Sequence, residues 1–297
     1  MSKTDLSAEI REFLSTRRAR ITPQQAGLPA YGGNRRVKGL RREEVAMLAG
    51  VSVDYYVRME RGSLAGASES VLNALAEALG LDEAERAHLF ALARESGASG
   101  RAPRRTTPAS VRPAVQQVLD AMTDAPAWVR NGRHDIVAMN PLARALYSPV
   151  LASPRRPANT TRFVYLDPAA PEFFVDYDRI ANDAAAMLRL EAGRNPHDKA
   201  LIELVGELST RSELFRRRWA SHDVQFHRSG QKRLRHPVVG QLDLDYESME
   251  LPSTPGLQMN VYTAAAGTPT ADALKLLASW AVSQEHLPTE ATPAPAA

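Results

Sequence analysis

The segment 39–62 constrains the fold of this chain more than any other stretch. An apolar helical pattern over residues 41–49 stops at Gly50, where a turn needs the positive φ that glycine adopts most easily. Ser52 is placed to cap a second helix over residues 53–61. The segment therefore predicts two short helices joined by a tight turn.

This spacing is that of a helix-turn-helix. Ala46 is small where the two helices cross, and its apolar neighbours are placed to pack the helices together. In such a motif the second helix lies in the major groove of DNA and turns its outer face to the base edges. The residues on that face are Val53, Asp54, Tyr55, Val57 and Arg58.

Each candidate DNA contact has a chemical reason. Arg58 suits a bidentate contact to guanine, and Arg41 and Arg42 suit phosphate together with the start of the first motif helix. Two roles are open for Asp54. It accepts a hydrogen bond from a cytosine amino group, or it helps Ser52 to cap the helix, and the capping role is favoured. The expected contacts in the motif are Arg41, Arg42, Ser52, Val53, Asp54, Tyr55 and Arg58.

Charge is concentrated near this motif. Residues 11–42 hold nine basic side chains and one acidic side chain, although the net charge of the chain is only +3. Such a positive stretch is typical of a nucleic-acid-binding module. Within it, Arg35, Arg36 and Lys38 are predicted to contact phosphate or the minor groove, the alternative being a solvated basic loop.

The sequence pattern divides the chain into three regions. Residues 1–95 read as five helices without strands, and residues 96–110 read as a linker rich in Gly, Pro and Ser. The remainder mixes strands and helices, which indicates an α+β domain with one antiparallel sheet. The main expected elements there are helices at 111–122, 141–147, 173–192, 200–208, 213–220 and 270–282, and strands at 128–131, 135–139, 224–228, 232–236, 240–250 and 258–264.

Segment 39–62, with its closing Met-Glu-Arg-Gly, resembles the lambda-repressor-like (Xre/Cro) helix-turn-helix class. The basic loop Tyr-Gly-Gly-Asn-Arg-Arg and the later segments 126–131, 136–147, 215–224, 236–244 and 261–264 are similar to MmyB-like regulators. The resemblance implies a DNA-binding domain at 1–95 and a PAS-like ligand-binding domain at 111–285. It also implies a ligand that resembles a fatty acid. Composition predicts the linker at 96–110 between the two domains and a disordered tail at 286–297.

A PAS-like sheet covered by helices can leave an apolar binding pocket. Apolar residues on these elements are candidates for the lining, and three polar residues are candidates for anchors. For any one apolar residue, simple core packing is the favoured alternative. The expected ligand-binding residues are Asn140, Leu146, Leu188, Phe215, Arg216, Trp219, His222 and Phe226.

The sequence carries none of the common catalytic motifs. The adjacent Ser221, His222 and Asp223 point in different directions and cannot form a triad. Without cysteine, disulfides, thiolate chemistry and Cys-ligated zinc are excluded. We therefore expect a non-enzymatic transcription regulator without cofactor or metal, cytoplasmic and homodimeric, whose partners are a double-stranded DNA operator and a small apolar ligand. Two alternatives stay open: a ligand-free C-terminal domain for dimerisation or protein interaction, and a DNA-tethered enzyme.

Overall fold

The computed structural model describes residues 3–28, 37, 39–97, 110–226 and 228–285. The chain divides into two compact units. The first comprises Met1–Thr106 with Ala181–His227, and the second comprises Thr107–Ile180 with Arg228–Ala297. None of the described helices is long and apolar enough to cross a membrane.

The part before residue 147 contains α1 (Lys3–Arg20), α2 (Arg42–Leu48), α3 (Val53–Glu60), α4 (Glu69–Ala78), α5 (Glu83–Gly97), α6 (Pro113–Ala121), β1 (Ala127–Asn131), β2 (Ile136–Met139) and α7 (Pro141–Leu146). The later part contains α8 (Ser148–Leu151), α9 (Thr160–Leu166), α10 (Ala170–Phe173), α11 (Tyr177–Arg194), α12 (Lys199–Arg211), α13 (Glu213–Ala220), β3 (Ser229–His236), β4 (Gly240–Glu250), β5 (Leu257–Thr263) and α14 (Pro269–Glu285).

Polar caps fix the starts of the short helices in the first unit. The Ser52 hydroxyl accepts from the Tyr55 amide at the start of α3, and the Ser68 hydroxyl accepts from the Val71 amide at the start of α4. Asp82 accepts in the same way from the Glu85 amide. Each side chain satisfies an amide that has no partner within its helix. The predicted cap at Ser52 is therefore confirmed, and Ser68 and Asp82 cap the next two helices in the same way.

One apolar core holds these helices together. Ile10, Phe13 and Leu14 of α1 are fully buried against Val45 and Tyr56 of the motif helices. Three residues from the later part of the chain join the same core, two of them buried and one partly buried: Leu190, Val224 and Phe226. Residues 181–227 thus belong to the helical unit by packing, whereas the sequence-based division places residues 111–285 in one domain.

The second unit is built on a five-stranded sheet with the order β2-β1-β5-β4-β3, in which all neighbours are antiparallel. One face of the sheet carries Val129 and Met259, which pack in an apolar cluster with Leu119 of α6. On the opposite face, the ring of Tyr147 at the end of α7 lies close to the ring of Trp128 of β1, tilted by 46°. The predicted fold class, a helical helix-turn-helix region followed by an α+β region with an antiparallel sheet, is confirmed.

Two sequence-based expectations differ from the structure, and three short helices were not predicted. The helix expected at 173–192 begins at Tyr177, because Phe174 bridges to Leu234 and the Val175 amide donates to the Arg233 carbonyl. The Phe174 amide still donates to the Ala170 carbonyl of α10, whereas the Val175 amide bonds to β3 and so ends the helical pattern. The described part of the expected strand 224–228 forms no strand, since Val224 and Phe226 pack in the helical core instead. The short helices α8, α9 and α10 lacked a recognisable apolar period.

The predicted linker overlaps a helix at its start, because Glu83–Gly97 is helical. Residues 98–109, and the predicted tail at 286–297, lie outside the described residues.

Candidate functional site

The turn of the helix-turn-helix is built as its sequence predicts. Gly50 has a φ of 65°, and the Val51 amide donates to the Ala46 carbonyl at 2.9 Å. Ala46 is 1% exposed, so a larger side chain there would separate α2 from α3. The turn thus fixes the angle at which α3 leaves the core.

The outer face of α3 carries mostly exposed side chains. Val53, Asp54 and Arg58 are exposed, and Tyr55 is partly buried. The Arg58 guanidinium carbon lies 4.7 Å from the centre of the Tyr55 ring, so the two side chains form a cation–π pair on the helix surface. Asp54 lies in the first turn of α3, where a negative charge favours the helix.

The basic residues at the start of α2 are held by carboxylates. The Arg41 amide donates to Glu44 at 2.6 Å, and the Arg41 side chain is about half exposed. The Arg42 side chain is also half exposed but bonds to Glu60, which is buried and also binds Arg18 at 2.7 Å. The hydrogen bond from Arg42 to Glu60 and the charge of Glu60 raise the pKa of Arg42 above its usual value. Glu60 therefore fixes the position of the Arg42 guanidinium group.

Sequence reasoning missed Glu60, because an acidic residue near the end of a helix carries no signal of burial. The other predicted cations, Arg35, Arg36 and Lys38, lie outside the described residues.

The predicted ligand-binding residues fall in both units. Asn140 and Leu146 belong to the second unit. The Asn140 side chain uses its whole hydrogen-bonding capacity within the protein: the carbonyl accepts from the amides of Ala127 and Ala143, and the amide donates to two backbone carbonyls. Leu146 is fully buried. These contacts show a structural use of Asn140, and its role toward a ligand stays a prediction.

The other predicted ligand residues lie in the first unit: Leu188, Phe215, Arg216, Trp219, His222 and Phe226. The rings of Phe215 and Trp219 stack at 5.5 Å, and Arg189 lies 4.1 Å from the Trp219 ring centre. Arg216 points instead to the surface, where it donates to the Ser209 carbonyl at 2.9 Å.

A buried ionic cluster that the sequence did not reveal lies between α1 and the segment 181–227. One nitrogen of Arg189 is 2.6 Å from both carboxylate oxygens of Glu9. His88 Nε2 and His222 Nδ1 lie 3.4 and 3.5 Å from the same carboxylate. Glu12 adds a contact of 2.6 Å to His222 Nε2. We call Glu9, His88, Arg189 and His222 the Glu9 cluster.

A second ionic group continues along α1. Arg17 is 2% exposed and binds Glu85 at 2.8 Å, while its other nitrogen donates to the His222 carbonyl. Arg20 pairs with Asp223. Together these contacts attach α1 to both α5 and the end of α13. Their partners are far apart in sequence, so no local pattern could predict them.

The cluster shifts the titration of its members. Burial alone would raise the pKa of Glu9, but the hydrogen bonds from His222 and His88 and the charge of Arg189 outweigh it and hold that pKa far below its usual range. Burial lowers the pKa of His88, even though Glu9 opposes the shift. Glu9 is therefore ionised and His88 neutral at physiological pH.

Within the described ranges, no group of three His, Cys, Asp or Glu side chains is placed to hold a metal ion.

The two regions together define a DNA-binding helix-turn-helix module followed by an α+β sensor-type module. A family described as "Helix-turn-helix domain" matches residues 9–89. A family described as "MmyB-like transcription regulator ligand binding domain" matches residues 111–277. The chain belongs to the MmyB-like transcription regulators, and it is a ligand-responsive regulator by this architecture. No curated protein matches the chain.

Proposed function

We propose that this protein binds a specific DNA operator through α3 and that its MmyB-like domain senses a small apolar ligand that resembles a fatty acid. The observation that carries the DNA-binding half is the exposed face of α3, held at a fixed angle by the Gly50 turn. The matched ligand-binding family supports the sensing half. We also propose that the protein is not an enzyme, since both matched families are regulator domains.

The exposed residues divide by role. Arg58 contacts guanine, and Val53 and Tyr55 make apolar contacts with neighbouring bases. Arg41 and Arg42 contact phosphate, which adds affinity on any sequence. Because Arg58 lies on the Tyr55 ring, its guanidinium is already partly ordered before it meets DNA.

We infer the remaining DNA contacts from the sequence. Ser52 and Asp54 lie at the start of α3, next to the backbone of the DNA. Arg35, Arg36 and Lys38 add contacts to phosphate or to the minor groove. The protein acts as a homodimer, because helix-turn-helix proteins usually read two half-sites about one DNA turn apart.

The Glu9 cluster supplies a route for the ligand response. Residues 181–227 lie inside the range of the ligand-binding family, yet they pack in the same compact unit as the DNA-binding helices. Arg189 joins α11 to α1 through Glu9, and α1 packs against α3. A ligand that favours one position of α11 therefore favours one position of α3, and it shifts DNA affinity by its difference in affinity for the two states.

A second candidate function is a regulator whose C-terminal region only mediates dimerisation. The full burial of Leu146, Leu188 and Phe215 favours it, because these three residues then serve as filled core. Native mass spectrometry of the purified protein, before and after denaturation, separates the two. A co-purifying small molecule supports the sensor, and a dimer without one supports the dimerisation module.

The DNA-binding half is tested by operator selection from random duplexes, followed by anisotropy titrations of three variants. Arg58→Ala should reduce the preference for the selected operator over a scrambled duplex. Arg42→Ala should weaken binding to both duplexes alike. Arg211→Ala removes an exposed arginine of α12 and serves as the control. An unchanged operator preference in Arg58→Ala would remove Arg58 from base recognition.

A further inference from the structure

Three side chains form a row across the sheet of the second unit. Trp128 of β1 pairs directly with Asn260 of β5, and Asn260 pairs directly with Ser248 of β4. Directly opposed residues of antiparallel strands have their side chains on the same face, with Cβ atoms about 5 Å apart. The three side chains are therefore neighbours, and we call them the Asn260 row.

Every member of the Asn260 row has a buried polar atom that finds no hydrogen-bond partner among the described residues. These atoms are Trp128 Nε1, Asn260 Nδ2, Asn260 Oδ1 and Ser248 Oγ. Asn260 is 0% exposed and Trp128 is 3% exposed. Buried polar groups are almost always hydrogen-bonded, and each one that is not costs about 1–3 kcal/mol. Four such atoms on three adjacent side chains point to a ligand that completes them.

The chemistry of the four atoms selects the ligand group. Trp128 Nε1 and Asn260 Nδ2 are donors and need an acceptor, while Asn260 Oδ1 is an acceptor and needs a donor. The Ser248 hydroxyl serves as either. A carbonyl oxygen next to an N–H group satisfies both sides of the asparagine at once. An ionised carboxylate satisfies the two donors but offers no donor to Asn260 Oδ1, and an ester lacks that donor as well.

Aromatic rings border the Asn260 row on the same face. The Tyr147 ring lies 5.2 Å from the Trp128 ring, and the hydroxyls of Tyr147 and Tyr262 are 2.7 Å apart. Lys232 donates to the Tyr262 hydroxyl at 3.4 Å. The tyrosine hydroxyls thus have partners of their own, so they do not compete for the group that the row binds.

We propose that the Asn260 row is the polar anchor of the sensor domain and binds a carbonyl group with an adjacent N–H, as in a carboxamide. This inference rests on the proposed function, in which the domain takes a small, largely apolar ligand. It adds that the ligand carries an amide-type group, which is recognised by Trp128, Ser248 and Asn260. None of these three residues was predicted from the sequence to bind the ligand.

The test compares three probes with the same apolar tail: lauramide, lauric acid and methyl laurate. Binding is measured by isothermal titration calorimetry on the full chain. For the wild type we expect lauramide to bind about tenfold more tightly than the ester, since one well-formed hydrogen bond is worth about 0.5–1.5 kcal/mol and tenfold is about 1.4 kcal/mol.

Variants test whether the Asn260 row causes the preference for lauramide. Asn260→Leu should abolish the preference for the amide. Trp128→Phe keeps an aromatic ring but removes the indole N–H with part of the indole, and it should weaken amide binding about tenfold. Trp280→Phe makes the same change on α14, outside the row, and should change nothing. Asn260→Leu should also raise the thermal stability of the ligand-free protein, because it removes two buried atoms without partners; a purely structural asparagine would give a loss. If Asn260→Leu fails to fold, Trp128→Phe still decides the question.

The outcomes separate the two proposals. If all three probes bind equally to the wild type and to the variants, the anchor is refuted and the apolar sensor stands. Tighter binding of lauric acid than of lauramide also refutes the amide anchor, in favour of a carboxylate site. If the wild type binds none of the probes, the acyl-ligand function fails and the anchor fails with it.

Discussion

Replacing Arg189 with methionine tests the Glu9 cluster most severely. The guanidinium is 3% exposed and has three uses: it binds both oxygens of Glu9 at 2.6 Å, donates to the Trp219 carbonyl and lies over the Trp219 ring. Methionine keeps much of the apolar stem but removes the charge and all the donors. The variant therefore leaves the Glu9 carboxylate, only 19% exposed, without its cationic partner.

The expected magnitude follows from that orphaned charge. Removing one partner of a buried ion pair costs about 3–5 kcal/mol, much of it the desolvation of the remaining ion. His88 and His222 still face Glu9, so the lower end of that range, about 3 kcal/mol, is the expected loss. For a unit of roughly 150 residues, this loss lowers the unfolding midpoint by about 10 °C.

A double-mutant cycle with Glu9→Gln separates the pair from other effects of each change. Urea unfolding of the wild type, both single variants and the double variant gives the coupling energy. We expect coupling of at least about 1 kcal/mol, because the glutamine no longer leaves a charge behind when Arg189 is absent. Arg211→Met, at an exposed arginine, is the matched control. Additivity within about 0.3–0.5 kcal/mol would refute the cluster as a cooperative unit.

Three further predictions concern the same unit. The free energy of unfolding should fall as the pH is lowered, because Glu9 has a lowered pKa in the folded state, and the stability it contributes above about pH 4.3 is lost below that pH. The lowered pKa of His88 acts in the same direction below about pH 6.5. In urea titrations at several pH values, a Glu9→Gln variant should lose less stability in acid than the wild type. Ser52→Ala should cost about 1 kcal/mol of unfolding free energy through loss of the α3 cap, and an equal loss in the exposed control Ser63→Ala would contradict this role. Gly62→Ala should lower the free energy of unfolding by about 2 kcal/mol or more, because Gly62 has a φ of 104° and an added Cβ would overlap the Ser7 backbone of α1. Thermal unfolding measures this loss, and full retention of stability would show that the contact relaxes freely.

The helix-turn-helix could be predicted because its signals are local. The Gly50 turn, the Ser52 cap and the small Ala46 each act within a few residues of one another, so their spacing alone carries the information. Both strands of the first hairpin were predicted for the same reason. Their short loop fixes which strands pair.

The remaining features depend on contacts between distant residues. The stretch after Phe173 continues a helical pattern, yet Phe174 is taken up by a bridge to Leu234. Val224 alternates like a strand but packs against helices. The Asn260 row becomes visible only when the register of three strands is known. None of these pairings produces a periodic pattern of apolar residues in the sequence.

The central claim is that DNA affinity is both sequence-specific and set by a ligand. The most direct measurement is one anisotropy experiment with the full chain, in which the dissociation constants for a selected operator and a scrambled duplex are determined with and without saturating lauramide. We expect the operator to bind about a thousandfold more tightly than the scrambled duplex. The probe should change the operator constant by about fivefold or more, within the usual range of allosteric coupling. Equal constants for the two duplexes, or an operator constant that the probe leaves unchanged while calorimetry shows it bound, would contradict the account.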